Sequence, residues 1–273
     1  MIDLTINTGV ARQILTGFIK SELGRAGFTR AVIGLSGGVD SALSYALAVE
    51  GLGAQNVLAL QMPYKTSAPD SLEHAALLVK QFGSPSETFD ITPAVDALVA
   101  PEPGMPKHRK GNIMARARMI ALYDRSEAFR GLVIGTSNKT EILLGYTTLW
   151  GDMAAAINPI GDLYKTQVRQ LAGAMDIPAP IIDKPPSADL WAGQTDEGEL
   201  GFTYESVDRL LALLVDQRYT PQDLLEAGFD QAFVKDVLER VRRSQFKRMM
   251  PLIAKLSNRT VGYDFLYLRD WGT

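Results

Sequence analysis

The chain of 273 residues contains no cysteine. Disulfides, thiolate metal sites and cysteine nucleophiles are therefore excluded. No apolar run reaches membrane-spanning length, and the opening "MIDLTINTGVARQ" lacks the charged-then-apolar pattern of a secretion signal. The expected location is the cytoplasm, with no membrane partner. A formal net charge of -3 gives no general field for attracting nucleic acid, so nucleic acid is not an expected partner either. There is no internal repeat and no low-complexity tract. What is present is a 46% hydrophobic composition, enough to bury the core of one large domain over residues 1–273.

Apolar groups recur at helical spacing over residues 10–26, with Thr8 as the expected cap and Gly27 as the stop. Short β-type runs follow at 31–35, 57–62, 87–91 and 132–136, separated by helical patterns. Alternation of this kind predicts an α/β fold: a doubly wound parallel sheet with helices on both faces. Ligands of such sheets bind at the carboxyl ends of strands, near the switch in strand order. From about 202 to the end the pattern reads as a helical C-terminal region, including "TPQDLLEAG" with Thr220 as cap and Pro221 in the first turn, and a helix over 231–250. Between the halves, residues 184–201, "KPPSADLWAGQTDEGELG", are too long for a simple connection and suit a lid.

The stretch "VIGLSGGVDSALSYALA" joins a buried strand to a helix through Ser36, Gly37, Gly38, Val39, Asp40 and Ser41. A strand that ends in Gly-Gly and opens a helix presents free N–H groups at the positive end of the helix dipole, which suits a phosphate. The lysine of the common P-loop is missing. Asp40 should repel an anion unless a cation lies between them, and Mg²⁺ on pyrophosphate meets that condition. The alternative is a tight βα turn in which Asp40 favours the helix N-terminus.

"SGGVDS" resembles the pyrophosphate-binding loop of the ATP pyrophosphatase superfamily. "MPYKTS", "KGNIMARARM", "GTSNKTEILLGYTT" and "KPPSADLWAGQTDEGELG" follow in the order and chemistry of the ammonia-dependent NAD synthetases, and the similarity runs over nearly the whole chain. The resemblance implies an adenine nucleotide alpha hydrolase-like fold and a ligase that adenylates deamido-NAD with ATP, after which ammonia displaces AMP. It implies Mg²⁺ as cofactor, held by Asp40 and Glu141, and a homodimer. ATP and its pyrophosphate would meet residues 36–41, Thr136, Lys165 and Ser187. Deamido-NAD would meet Lys110, Arg116 and Asp152, with Lys165 and Asp152 as the catalytic pair. Glutamine-using relatives carry an extra amidase domain with a cysteine nucleophile, which this chain lacks.

Each residue also has a structural reading. Asn138 and Glu141 have capping-box spacing, and Asp152 after a glycine suits a helix cap. Lys165 stands in a first helical turn, against the dipole. Arg116 and Arg118, two apart on a helix, point to nearly opposite sides, so one site on one subunit cannot use both. Trp150, Trp191 and Trp271 read as packing residues. Two rival functions remain open at this stage: another ATP-pyrophosphatase-type ligase, and a nucleotide-binding sensor without turnover, which would need neither Glu141 nor a lid.

Overall fold

A computed structural model describes residues 2–191 and 193–265; Trp271 lies outside them. Four strands, β1 (Ala31–Gly34), β2 (Val57–Gln61), β3 (Ser86–Thr88) and β4 (Leu132–Ile134), form one parallel sheet in the order β3-β2-β1-β4. Ala31 pairs with Val57 on one side and with Leu132 on the other. The chain therefore winds outward from β1 to β3 and then returns to lay β4 on the opposite flank. The switch in strand order falls between β1 and β4, and their carboxyl ends frame a crevice.

Helix α1 (Thr8–Arg25) starts one residue earlier than its spacing suggests, because Asn7 rather than Thr8 accepts the Val10 N–H. Helices α2 (Val39–Leu52) and α3 (Pro69–Phe82) follow β1 and β2. Every residue of α2 from Ser41 to Ala48 is buried, as expected for a helix sandwiched between the sheet and other helices. Helices α4 (Thr92–Val99) and α5 (Lys107–Phe129) make the long crossover to β4, and α5 packs on β1 and β4. Met114 and Ala117 of α5 join Tyr64, Ile91 and Val95 in a core of their own, separate from the one that α2 shares with α1. Right-handed crossovers place the two cores on opposite faces.

After β4 come α6 (Lys139–Leu144), α7 (Lys165–Ala174), α8 (Ala179–Ile182) and α9 (Asp196–Leu200). Residues 156 and 157 run alongside β4, with a bridge from Ile157 to Ile134, a short pairing that the sequence pattern does not announce. The C-terminal helices α10 (Tyr204–Leu211), α11 (Pro221–Glu226) and α12 (Gln231–Arg243) share a third core with Leu144 and Tyr164, and so lean on α6 and α7.

Two expectations are corrected here. Helix α12 ends at Arg243 rather than 250, and among the described residues no helix follows Arg248, where the pattern suggests a helical C-terminal region. The cause is polar docking: Ser244 Oγ donates to the Leu143 carbonyl, Lys247 Nζ to those of Gly145 and Thr147, and Arg248 Nη1 to those of Ile142 and Leu143. These groups satisfy the open carbonyls at the end of α6, and the chain leaves its helical path to reach them.

Candidate active site

The βα turn after β1 gives the crevice its first wall. Gly37 has φ +78°, and a Cβ there would stand 2.3 Å from the Ser71 carbonyl oxygen, so only glycine lets the turn meet α3 so closely. Gly38 caps α2 without any side-chain hydrogen bond, which leaves the first N–H groups of that helix without a side-chain cap. Ser36 and Ser41 hydroxyls lie 3.0 Å apart, and Ser41 Oγ donates to the Gly38 carbonyl at 2.9 Å. A concave set of donors thus faces the crevice at the positive end of α2.

The second wall comes from the turn after β4. Asn138 and Glu141 form the capping box that their spacing suggests: Glu141 N donates to Asn138 Oδ1 at 3.0 Å, and Asn138 N to Glu141 Oε2 at 3.4 Å. The cap does not consume the chemistry. Asn138 Nδ2 also donates to Asp40 Oδ1 at 2.8 Å, and Glu141 keeps Oε1 for a cation. That cation is Lys165 Nζ, 2.5 Å from Asp40 Oδ2 and 3.1 Å from Glu141 Oε1. Lys165 is only 2% exposed, opens α7 as expected, and passes its ammonium beside the Tyr204 ring at 5.1 Å from the centroid.

The electrostatics follow from burial. Removal from water pushes the Glu141 carboxyl up to about 8, against the pull of Lys165 and with help from the negative charge on Asp40. Burial alone would lower the Lys165 ammonium; Asp40 and Glu141 outweigh it and hold the charge on. Asp196 is also raised by burial, despite Lys165 nearby, and its Oδ1 has no hydrogen-bond partner.

These walls enclose a cavity of about 890 Å³. Asp40, Ser41, Thr136, Glu141, Lys165 and Ser187 all line it. Asp152 does too: exposed toward the cavity, it accepts the Thr148 N–H at 2.6 Å, and desolvation by the cavity walls raises its carboxyl. Lys110 and Arg116 do not reach the cavity wall. Lys110 lies over the Tyr64 ring at 4.8 Å, and exposed Arg116 donates to the Leu149 carbonyl. Arg118, from the opposite side of α5, lines the cavity instead, and burial lowers its guanidinium beside Asp189 and Asp152.

The segment over 184–201 lies across the opening. Asp189 accepts the Ala68 N–H at 3.1 Å and the Ser71 hydroxyl at 3.2 Å, and Lys184 pairs with Asp70 at 3.1 Å. Leu190 rests on α5 at Gly111, where a Cβ would stand 2.8 Å from its Cδ1; that approach explains a glycine inside a helix. The sequence pattern did not single out Asp189, Asp196 or Asn138 for these contacts. Asp189 left one trace, since Ala68 is a poor cap for α3 and begs a carboxylate from elsewhere.

A family model described as NAD synthase matches residues 11–251. The NH(3)-dependent NAD(+) synthetase of Trichlorobacter lovleyi is 55% identical over 272 residues, spanning 100% of both chains. NMN synthetase from Francisella tularensis has a TM-score of 0.81 at 33% identity, covering 92% of this chain and 100% of that one. NH3-dependent NAD synthetase from Campylobacter jejuni gives 0.79 at 33% identity with the same coverage. With a crevice at the switch in strand order and similarity along nearly its whole length, the chain belongs to the NAD synthase family.

Proposed function

We infer that the protein amidates deamido-NAD with ammonia, using ATP and Mg²⁺, through an adenylated nicotinate carboxylate, and releases NAD, AMP and pyrophosphate. The carrying observation is the Lys165 ammonium held between Asp40 and Glu141 beside the open N-terminus of α2. A turn that takes pyrophosphate and a fixed cation that faces it suit cleavage between the α and β phosphates of ATP. No side chain need act as nucleophile. The nicotinate carboxylate attacks the α-phosphorus and pyrophosphate leaves; ammonia then attacks the activated carbonyl and AMP leaves.

The chain's own residues align and neutralise. Ser36, Ser41 and the N–H groups of the 37–41 turn hold the departing pyrophosphate, joined by Lys165 and by Ser187 and Thr136 at the cavity wall. Asp40 and Glu141 bring carboxylate oxygens to the same end of the cavity beside Lys165, and oxygen is the donor chemistry Mg²⁺ prefers, so they are the residues that would hold it. When bound, Mg²⁺ would supply neutralisation of phosphate charge. Asp152, with its carboxyl raised by burial, is placed to take a proton from ammonium and supply free ammonia. The segment over 184–201 excludes water from the adenylate.

The proposed protein is a cytoplasmic homodimer, in which Lys110 and Arg116 serve a dinucleotide bound at the partner's side of the interface. A second acceptor has a specific observation behind it, since one structural relative of equal identity is an NMN synthetase. The deciding experiment incubates the protein with ATP, Mg²⁺ and ammonium, and with either deamido-NAD or nicotinate mononucleotide. NAD with equal AMP and pyrophosphate from the first acceptor is the expected result. Faster amidation of the mononucleotide would replace the substrate, and release of ADP and orthophosphate would end the whole reading.

A further inference from the structure

Asp208 is completely buried, as is Thr140, and it carries a carboxylate on the apolar face of α10 with no hydrogen-bonded cation among the described residues. Its partners are Thr140 Oγ1, which donates to Oδ1 at 2.6 Å, and the Thr166 N–H, which donates to Oδ2 at 2.8 Å. Thr140 Oγ1 in turn accepts the Lys165 N–H at 3.1 Å. Three elements meet at this carboxylate: α10 bears it, α6 supplies Thr140 one residue before Glu141, and α7 begins there with Lys165. Tyr204, one turn earlier on α10, flanks the ammonium of the same lysine. One helix of the C-terminal region therefore braces Lys165 at its backbone and at its tip.

We propose that Asp208 is a positioning residue for Lys165: with Thr140 it fixes the start of α7 against α6, and so fixes the ammonium between Asp40 and Glu141. A plain helix cap would need only the Thr166 bond; the Thr140 link ties the cap to the residue beside Glu141. An aspartate is required because both of its neighbours are donors. In Asp208→Asn one acceptor becomes an NH₂ group, and the Thr140 hydroxyl must then accept two bonds and leave its own proton unpaired. The reach of such an error is large, since displacement of a reacting group by about 1 Å costs on the order of 100-fold in rate.

This inference rests on the role given to Lys165 above, and a double-mutant cycle separates the two. Asp208→Asn and Thr140→Val are each made in the natural chain and in Lys165→Met, and kcat and the KM for ATP are measured. In the natural chain kcat should fall about 10- to 100-fold with KM within about 3-fold, whereas in Lys165→Met the further fall should stay below about 2-fold. Thr140→Ser, which keeps both hydrogen bonds, should restore kcat to within about 3-fold. Equal losses in both backgrounds, or a natural-chain kcat untouched by Asp208→Asn and Thr140→Val, would overturn the proposal alone. Lys165→Met with undiminished kcat would overturn it together with the role of Lys165. Where Asp208→Asn does not fold, or Lys165→Met is too slow to measure, the Thr140 pair decides: a slow Val variant and a restored Ser variant with the same melting temperature support positioning, and equal rates refute it.

Discussion

At the scale of single residues, the structure resolves a choice that spacing alone leaves open, whether Glu141 is a cap or a charge-binding group. It is both, because a carboxylate has two oxygens: Oε2 takes the Asn138 N–H while Oε1 meets Lys165. The two roles respond differently to pH. Unfolded, Glu141 titrates near its ordinary 4.5; folded, it is pushed up to about 8 by burial. Between those values the folded chain keeps a proton that the unfolded chain has released, so stability falls as pH rises through that window. Burial raises Asp152, Asp196 and Asp208 as well, which gives their contributions the same sign. The ligand-free protein should therefore melt at a lower temperature at about pH 8 than at about pH 5, and Glu141→Gln should flatten the difference. The same variant keeps a hydrogen-bonding side chain but cannot ionise to a carboxylate for Mg²⁺, so its Mg²⁺ requirement for NAD formation should rise. A Glu141→Gln protein with the natural pH slope and the natural Mg²⁺ requirement would contradict both roles.

At the scale of elements, legibility tracked whether the cause was local. The turn after β1, the start of α7 at Lys165 and the cap of α11 at Thr220 are written in neighbouring residues, and all three stand where the pattern puts them. The end of α12 was illegible, because it depends on carbonyls of α6 about 100 residues away in the chain. Arg248 makes that dependence testable. Its guanidinium reaches the carbonyls of Ile142, Leu143 and Val241, so Arg248→Ala should cost about 1–3 kcal/mol in chemical denaturation, mostly from carbonyls left without a donor. The 184–201 segment was legible as an unusual connection by its length and composition, but its tie to the start of α3 was not, since Asp189 bonds Ala68 from 121 residues away. Asp189 also sits at φ +50°, a strained conformation for a residue with a side chain, held by those bonds. Asp189→Ala should expose residues 184–201 to limited proteolysis at a protease level that spares the natural chain, with little change in melting temperature, because the sheet and its cores are untouched. Cleavage at equal rates in both proteins would mean that the tie does not hold the segment down.

At the scale of the whole molecule, the Gly-Gly turn after β1, the carboxylate pair and the lysine come together within one chain, while Lys110 and Arg116 stay outside the cavity. The opposed directions of Arg116 and Arg118 were readable from their spacing, but which of them faces the cavity was not, because that depends on how α5 sits against β1 and β4. Arg116, Ile120 and Tyr123 follow one another at helical spacing along the outer side of α5, and Ile120 is 64% exposed and Tyr123 44%. An exposed apolar stripe on a long helix suits a two-fold contact with the same helix of a second copy, and such a contact is self-complementary, each stripe covering the other. A charge at Ile120 would then be buried against the apolar stripe of the second copy. Sedimentation should give a dimer for the natural chain at micromolar concentration and a monomer for Ile120→Arg. If Lys110 and Arg116 serve the partner's dinucleotide, the monomeric variant should also show a raised KM for deamido-NAD while its KM for ATP stays near the natural value, since every ATP contact proposed above lies within one chain. A natural chain that sediments as a monomer with full activity would remove the dimer from the reading. An Ile120→Arg protein that remains dimeric would move the interface to another face.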